Sequence, residues 1–187
     1  MGYDEVGEQN RQLFYFLDIH MESNVKAARD FTFDTTLKFD SPDLKSLLDD
    51  WVLAKEQNPH SVPLRNFADP IKLQSHLGYI QLVDVSHNPL RFKYRLIGTA
   101  ITNLAGRDST GRWFEEIYSS GFINEAFKSY RYVVESKSPV RVTATWDHVN
   151  KSYINYESLD LPLSNNGFEV DMILTRMNFV NISPEQV

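Results

Sequence analysis

The strongest constraint on the fold of this chain is a hairpin signal near its C-terminal end. Asn166 and Gly167 separate two runs that are rich in β-forming residues, 152–164 and 168–180. An Asn-Gly pair favours a tight turn because both residues tolerate positive φ angles. The two runs are therefore predicted to pair as antiparallel strands.

A second hairpin is predicted earlier in the sequence. Residues 79–85 are short and rich in β-forming side chains, residues 91–97 alternate strictly, and the turn cluster 86–89 separates them. Helical segments fill the interval 99–136, and one more β-like run follows at 139–146. Strands at both ends with helices between them favour an α+β fold, with a five-stranded antiparallel sheet and short helices on one face.

Helices are also predicted ahead of the first hairpin. Ser41 and Pro42 fit an N-cap and a first helical position, and an apolar stripe at helical spacing follows them. The members of that stripe are Leu44, Leu47, Leu48 and Trp51. Residues 1–40 are weakly patterned: 13–28 are consistent with one helix, and 30–39 alternate briefly. The predicted organisation is an N-terminal extension (1–40), flanking helices (41–77), the main domain (78–180) and a C-terminal tail (181–187).

The composition excludes several classes of function. The chain has no cysteine, which excludes disulfides, thiolate zinc sites, iron–sulfur clusters, cysteine nucleophiles and cysteine-attached chromophores. Its 19 basic and 25 acidic residues give a net charge of −6, which argues against general nucleic-acid binding and against charge-driven membrane binding. No apolar run approaches the roughly 18 residues of a membrane helix. A cytoplasmic location, with no membrane partner, is expected.

The segment 91–111 carries three glycines but matches no phosphate or catalytic loop. A P-loop needs Lys-Ser or Lys-Thr after its second glycine, and a dinucleotide fingerprint needs a G-x-G-x-x-G spacing that is absent here. The sequence from Gly106 to Gly111 has one residue too many for a G-x-S-x-G elbow. Gly106 is instead predicted to end a helix, and Gly111 to allow a tight turn.

The same segment begins with a basic strand. Arg91, Lys93 and Arg95 are predicted to lie on one face, with Phe92 and Tyr94 on the other. An RNA-binding face would need its basic and aromatic side chains on the same side. A half-buried strand is therefore favoured, and no nucleic-acid partner is expected.

Aromatic and polar residues near the predicted helix–sheet core are the candidates for a ligand pocket, because small-molecule sites combine apolar walls with a few polar groups. The candidates are Tyr94, Tyr130, Trp146, Tyr153, Asn155 and Met172. The alternative is that these residues only fill the core. Large side chains, including Phe92, would then close the cavity, and the domain would be an interaction or dimerisation module without a ligand.

A third hypothesis is a small α+β enzyme that transfers protons with Glu157 or His148. It predicts a buried carboxylate with a raised pKa in an open pocket. No nucleophile or oxyanion site accompanies these residues, and the five histidines are scattered along the chain. We therefore expect no enzyme, and we assign no catalytic residue and no metal site.

Several strings occur in an order that resembles the PAS superfamily, specifically a proteobacterial family of small, often stand-alone PAS-like proteins. The strings are LLDDW (47–51), FADP (67–70), LGYIQLVDV (77–85), RFKYRLIGTAIT (91–102), AGRDSTGRWFEE (105–116), SPV (138–140) and LDLPLSNNGFEVDMIL (159–174). Ser158 departs from this pattern, because an arginine is common at that position in the family.

The resemblance implies a PAS fold with a cavity between sheet and helices, and a sensory or dimerising role without catalytic residues. The missing cysteine disfavours a cysteinyl-flavin, and the absence of histidine from 123–136 disfavours haem; the cofactor is otherwise unknown. The leading expectation is a bacterial cytoplasmic sensor that binds a small molecule non-covalently and signals through a homodimer or a protein partner. The helix at 44–51 is the surface expected to contact the second copy of the dimer or a protein partner. The equal alternative is that its apolar stripe only covers the domain.

Overall fold

The computed structural model describes residues 29–57, 62–118, 120–146 and 154–180. Its strands are β1 (Arg29–Asp34), β2 (Ile80–His87), β3 (Leu90–Ile97), β4 (Val140–Trp146), β5 (Ile154–Leu163) and β6 (Met172–Val180). Its helices are α1 (Pro42–Gln57), α2 (Thr99–Ala105) and α3 (Ser120–Ser136), with short 3₁₀ turns at Arg65–Ala68, Leu77–Tyr79 and Phe114–Glu116. The strands form one antiparallel sheet in the order β1-β4-β5-β6-β2-β3. Within these residues, no helix has the length and apolar character needed to cross a membrane.

The predicted α+β class and antiparallel sheet are confirmed, and the sheet has six strands rather than five. The additional strand, β1, pairs with β4 at the edge of the sheet and comes from the weakly patterned N-terminal extension. It is short, and its pairing is interrupted between Arg29 and Thr32, where Asp30 has a φ of 54°. A short, irregular edge strand leaves little periodic signal in a sequence. The predicted helix at 13–28 lies outside the described residues.

Both predicted hairpins are present, but the C-terminal one has a longer connection than a two-residue turn. β5 and β6 pair as far as Leu163 and Met172, so residues 164–171 connect them. The Ser164 hydroxyl holds this connection together and accepts the backbone N–H of Gly167 at 2.9 Å. Gly167 has a φ of 80°, the positive angle that the Asn-Gly signal predicts.

The sheet is covered on both faces, so successive side chains of its strands enter two different cores. On one side, the α1 face, a leucine-rich core packs beneath α1 and consists of Phe39, Leu44, Leu47, Trp51, Leu73, Ile80, Leu159, Leu161, Leu163, Met172 and Leu174. On the other side, the α3 face, the core is rich in valine and aromatic residues and consists of Val62, Val83, Phe92, Tyr94, Phe114, Ile117, Tyr130, Val133, Val140, Val142, Val170 and Ile173. The flanking helix α1 and the internal helix α3 thus lie on opposite sides of the sheet.

α1 binds the sheet through the apolar stripe that the sequence predicts. Leu44 and Leu47 are fully buried, and Leu48 packs at the margin of the same core. Trp51 is 2% exposed, and its indole N–H donates to the carbonyl oxygen of Pro162 on β5 at 3.0 Å. In the structure the stripe therefore covers the domain. This is the alternative to its use as a contact surface for a partner. A partner that contacts α1 in this arrangement would meet its outer side.

Gly98, between β3 and α2, is required by a close approach of two backbone segments. A Cβ atom added there would lie 2.4 Å from the carbonyl oxygen of Gly78 and 2.5 Å from that of Leu77. We expect Gly98→Ala to lower the free energy of unfolding by about 1–3 kcal/mol, because rigid backbone has to move. Urea denaturation measures the loss, and Asn103→Ala on the exposed side of α2 is the control. Equal stabilities for the two variants would contradict the close contact.

Candidate functional site

A carboxylate lies buried between the sheet and α3. Asp160, in the middle of β5, is 2% exposed and accepts the hydroxyl proton of Thr175 on β6 at an O–O distance of 2.7 Å. It also accepts a side-chain hydrogen bond from Ser129 of α3. Burial raises the pKa of Asp160 to about 7, and the two hydrogen bonds act in the opposite direction. Asp160 therefore changes its protonation state near neutral pH.

Tyrosine hydroxyls extend this site from the sheet into α3. The Tyr130 hydroxyl lies 3.1 Å from that of Thr175, and because Thr175 donates to Asp160, Tyr130 donates to Thr175. Tyr156 lies on the same face of β5 as Asp160. Burial, and then the negative charge of Asp160, raise the pKa of both Tyr130 and Tyr156. Both tyrosines are therefore neutral at physiological pH and can donate hydrogen bonds.

Asp160 has no cationic partner in the described part of the chain. No lysine, arginine or histidine there lies within ion-pair distance of its carboxylate. A buried carboxylate without an opposite charge is destabilising in its ionised form. The Asp160 site comprises Asp160, Thr175, Ser129, Tyr130 and Tyr156. Among the described residues it has hydroxyl donors but no countercharge for the ionised carboxylate.

An aromatic cluster fills the part of the α3 face next to β3. It consists of Phe92, Tyr94, Phe114, Phe127 and Tyr130. The ring centroids of Tyr94 and Phe114 are 4.5 Å apart, and those of Phe92 and Tyr130 are 5.4 Å apart. Such tilted ring pairs stabilise a core beyond the area that they bury. Tyr130 belongs to both the aromatic cluster and the Asp160 site, so the two are continuous.

Glu157, the carboxylate singled out by sequence, lies on the opposite, α1 face. It is 4% exposed and accepts the Arg141 Nε–H at 2.6 Å and the backbone N–H groups of Asp40 and Ser41 at 3.1 and 3.0 Å. Burial alone would raise the pKa of Glu157, but Arg141 and the two amides outweigh burial and lower it. The predicted raised pKa is therefore wrong, and Glu157 is unsuited to proton transfer near neutral pH. His148 lies outside the described residues.

An open groove of about 660 Å³ adjoins Glu157 on the α1 face. Arg141, the arginine that lines the groove, is shared among three carboxylates, since it lies within 3.7 Å of carboxylate oxygens of Asp34, Asp40 and Glu157. Asn155 also lines the groove and accepts the Thr145 hydroxyl proton at 2.9 Å. The groove is a polar depression, and its buried carboxylate, Glu157, is paired with Arg141. Asp160 has no such partner among the described residues.

Comparison with known proteins identifies the family. A profile of the PAS domain matches residues 39–177, a segment that includes both cores and the Asp160 site. The chain belongs to the PAS domain family. Among solved structures, the PAS domain is similar to one from a study of the light-oxygen-voltage domain mechanism with a flavin analogue, with 16% identity, a TM-score of 0.44, and coverage of 60% of this chain and 83% of that chain.

A second solved structure, of an RNA-binding light-oxygen-voltage receptor, is similar with 14% identity and a TM-score of 0.44. The match covers 65% of this PAS domain chain and 35% of the receptor chain. No curated protein matches the sequence.

The structure separates the predicted pocket residues of the PAS domain. Tyr94 and Tyr130 lie together in the aromatic cluster on the α3 face. Met172 is buried in the leucine-rich core on the opposite face, and Asn155 is exposed in the groove on that face. The side chain of Trp146 and all of Tyr153 lie outside the described residues. A single pocket therefore does not contain Tyr94, Tyr130, Asn155 and Met172.

Sequence reasoning missed Asp160, Thr175 and Ser129. In β5, nearly every residue from Ile154 to Leu163 is buried because both faces of this strand are covered. A strand buried on both sides shows no alternation between polar and apolar residues that would assign a face. The sequence did contain one signal for Asp160. It is an acidic residue between two leucines, Leu159 and Leu161, which is unusual in a buried strand.

The Glu157 network predicts a stability effect. We expect Glu157→Gln to lower the free energy of unfolding at pH 7 by about 2 kcal/mol, because Arg141 and two amides lose a charged acceptor. The loss should be largest above pH 4.5, the ordinary pKa of this group, and should vanish as acid protonates the carboxylate. Urea denaturation tests this, with Glu115→Gln in the exposed pair with Arg91 as the control. Equally small losses in both variants would contradict the prediction.

The basic side chains of β3 have an aromatic neighbour from another segment of the chain, although the aromatic residues of β3 itself lie on the opposite face. Trp113, from the segment that pairs with Lys93, stacks under the Arg91 guanidinium at 3.9 Å. Arg91 also pairs with Glu115, and Arg95 donates to Asp84 at 2.8 Å. Acidic residues thus pair with two of the three basic side chains of this row, Arg91 and Arg95.

Proposed function

We propose that this PAS domain is a sensory or regulatory module that binds a small molecule non-covalently at the Asp160 site. The observation that supports the proposal is a buried carboxylate without a cationic partner among the described residues, set beside neutral tyrosine hydroxyls in a helix–sheet interface. Small-molecule sites commonly place a few polar groups in apolar surroundings of this kind. The absence of cysteine requires any ligand to be held without a thioether or thiolate bond.

Signalling would proceed through the hydrogen bonds that join α3 to the sheet. Tyr130 donates to Thr175, Thr175 donates to Asp160, and Ser129 of the same helix also binds Asp160. A ligand that takes one of these bonds changes how tightly α3 is held on β5 and β6. It can shift the population of helix positions only by the difference between its affinities for them. A homodimer or a protein partner would read the change, since no catalytic group is assigned.

A second function, a ligand-free interaction or dimerisation module, is favoured by the aromatic cluster. Phe92 and Phe114 are fully buried, and Tyr94 and Tyr130 are nearly so. Their rings occupy the space next to β3, as the sequence-based alternative anticipated for a closed cavity. Met172 takes no part in this closure because it lies on the other face of the sheet.

Native mass spectrometry of the freshly purified full chain distinguishes the two functions. The sensory function predicts a stoichiometric bound molecule that is released on denaturation and is depleted in Asp160→Asn. Glu157→Gln, on the opposite face, should retain the molecule. A wild-type protein that carries no bound molecule and gains no thermal stability from any small-molecule probe would instead support the interaction module.

A further inference from the structure

We infer that the ligand of the Asp160 site carries a positively charged nitrogen, as in a small amine or amidine. This inference rests on the proposed function and specifies the chemical class of its ligand.

The hydrogen bonds that Asp160 receives from the described residues do not use all of the acceptor positions of an ionised carboxylate. Thr175 from β6 and Ser129 from α3 each provide one hydrogen bond. An ionised carboxylate has about four acceptor positions, so two hydroxyls do not saturate it. On β4 the residue opposite Asp160 is Val140, which has no polar side chain.

Among the described acidic residues of the sheet that are buried or half-buried, Asp160 is an exception in its charge pairing. Four other acidic residues on or beside the sheet lie close to an arginine. The pairs are Asp34–Arg141 at 3.7 Å, Asp84–Arg95 at 2.8 Å, Glu157–Arg141 at 2.6 Å and Asp171–Arg65 at 2.6 Å. Asp160 is more deeply buried than Asp34, Asp84 or Asp171, yet the described residues provide no such partner for it. A ligand cation would fill the position that arginine takes at the other four.

The remaining groups that face Asp160 favour a cation over other ligands. They are Ser129 and Tyr130 from α3, Tyr156 from β5 and Thr175 from β6, and all of them are neutral near pH 7. An ammonium or amidinium group forms charge-assisted hydrogen bonds with a carboxylate, and tyrosine rings stabilise a nearby cation. A carboxylate or phosphate ligand would meet the like charge of Asp160 without a compensating cation among these groups.

Thermal denaturation with matched probes tests the inference. The probes are benzylamine, butylamine and benzamidine, with benzyl alcohol, butanol and benzoate as neutral and anionic counterparts. We expect at least one cationic probe to raise the Tm of the full-length wild-type chain at pH 8, and its counterparts not to do so at the same concentration. Asp160→Asn should lose the increase, whereas Glu157→Gln, the matched change on the opposite face, should keep it.

The pH dependence of binding provides a second test that uses only the wild-type chain. Because the carboxylate titrates near pH 7, the affinity for the stabilising probe should be about tenfold weaker at pH 6 than at pH 8. Stabilisation by neutral or anionic probes equal to that by the cations would overturn the inference, as would an undiminished cation effect in Asp160→Asn. An affinity that is the same at both pH values would also overturn it.

The failures of the two proposals are distinguishable. A neutral or anionic molecule released in native mass spectrometry would overturn the cationic ligand and leave the sensory function standing. A chain that carries no bound molecule and gains no stability from any probe would overturn both.

Discussion

Replacing Trp51 with alanine is expected to lower the free energy of unfolding by about 3–5 kcal/mol. Among the described residues, Trp51 is the largest fully buried side chain, and its removal leaves a cavity between α1 and β5. The substitution also leaves the carbonyl of Pro162 without the indole N–H that now binds it. Circular dichroism during urea denaturation measures the loss without relying on tryptophan fluorescence.

Two further variants make the Trp51 result specific. Val52→Ala, at a neighbouring position that is 41% exposed, should change stability by no more than about 0.5 kcal/mol. Trp51→Phe retains a ring and loses the hydrogen bond, so its loss of stability should lie between those of Trp51→Ala and Val52→Ala. If Trp51→Ala cost no more than Val52→Ala, α1 would not be docked on the sheet in solution. Its stripe would then be available as the contact surface for a partner.

The second large effect is an unusual pH dependence of stability caused by Asp160. Its pKa is 3.8 in the absence of the fold and about 7 within it. Between these values the folded state binds more protons than the unfolded state, so this group makes the protein less stable as the pH rises. The difference in pKa corresponds to at most about 4 kcal/mol. Most buried acidic groups that form ion pairs have a lowered pKa, so they make a protein more stable as the pH rises.

The comparison with Asp160→Asn isolates this effect, because every other group titrates in both proteins. The stability of the variant relative to wild type should increase by several kcal/mol from pH 4 to pH 8. Urea denaturation at four or five pH values provides the measurement. The Glu157→Gln variant should show the opposite trend, since the pKa of Glu157 is lowered in the fold. A constant difference between wild type and Asp160→Asn would mean that the carboxylate keeps its ordinary pKa.

The local signals in the sequence predicted most of the sheet. The strict alternation of β3 and the Asn-Gly pair before β6 depend on neighbouring residues, so they can be interpreted without knowledge of the fold. The helix start at Ser41 and the stripe from Leu44 to Trp51 were predicted for the same reason. β1 was not predicted as a strand, because its pairing depends on the distant edge of β4 and its own pattern is short and irregular.

The candidate site was harder to predict than the fold. Glu157 and Asp160 are both acidic residues of β5, and their sequence surroundings do not show which one would be paired. They point to opposite faces, where Glu157 meets Arg141 and Asp160 meets the hydroxyls of Thr175 and Ser129. This difference reverses the directions of their pKa changes.

The sequence by itself determined the antiparallel α+β architecture, the family resemblance and the exclusion of cysteine chemistry. The architecture follows from the periods of 2 and 3.6 residues that strands and helices impose on neighbouring side chains, and the exclusion of cysteine chemistry follows from composition. The resemblance rests on the order of specific sequence strings between residues 47 and 174. The tertiary structure decided which charges are paired, because the register of β5 against β4 and β6 and the docking of α1 and α3 bring distant residues together. Among the described residues Asp160 has no ion pair, because its neighbours across the sheet in that register are a valine and a threonine rather than an arginine.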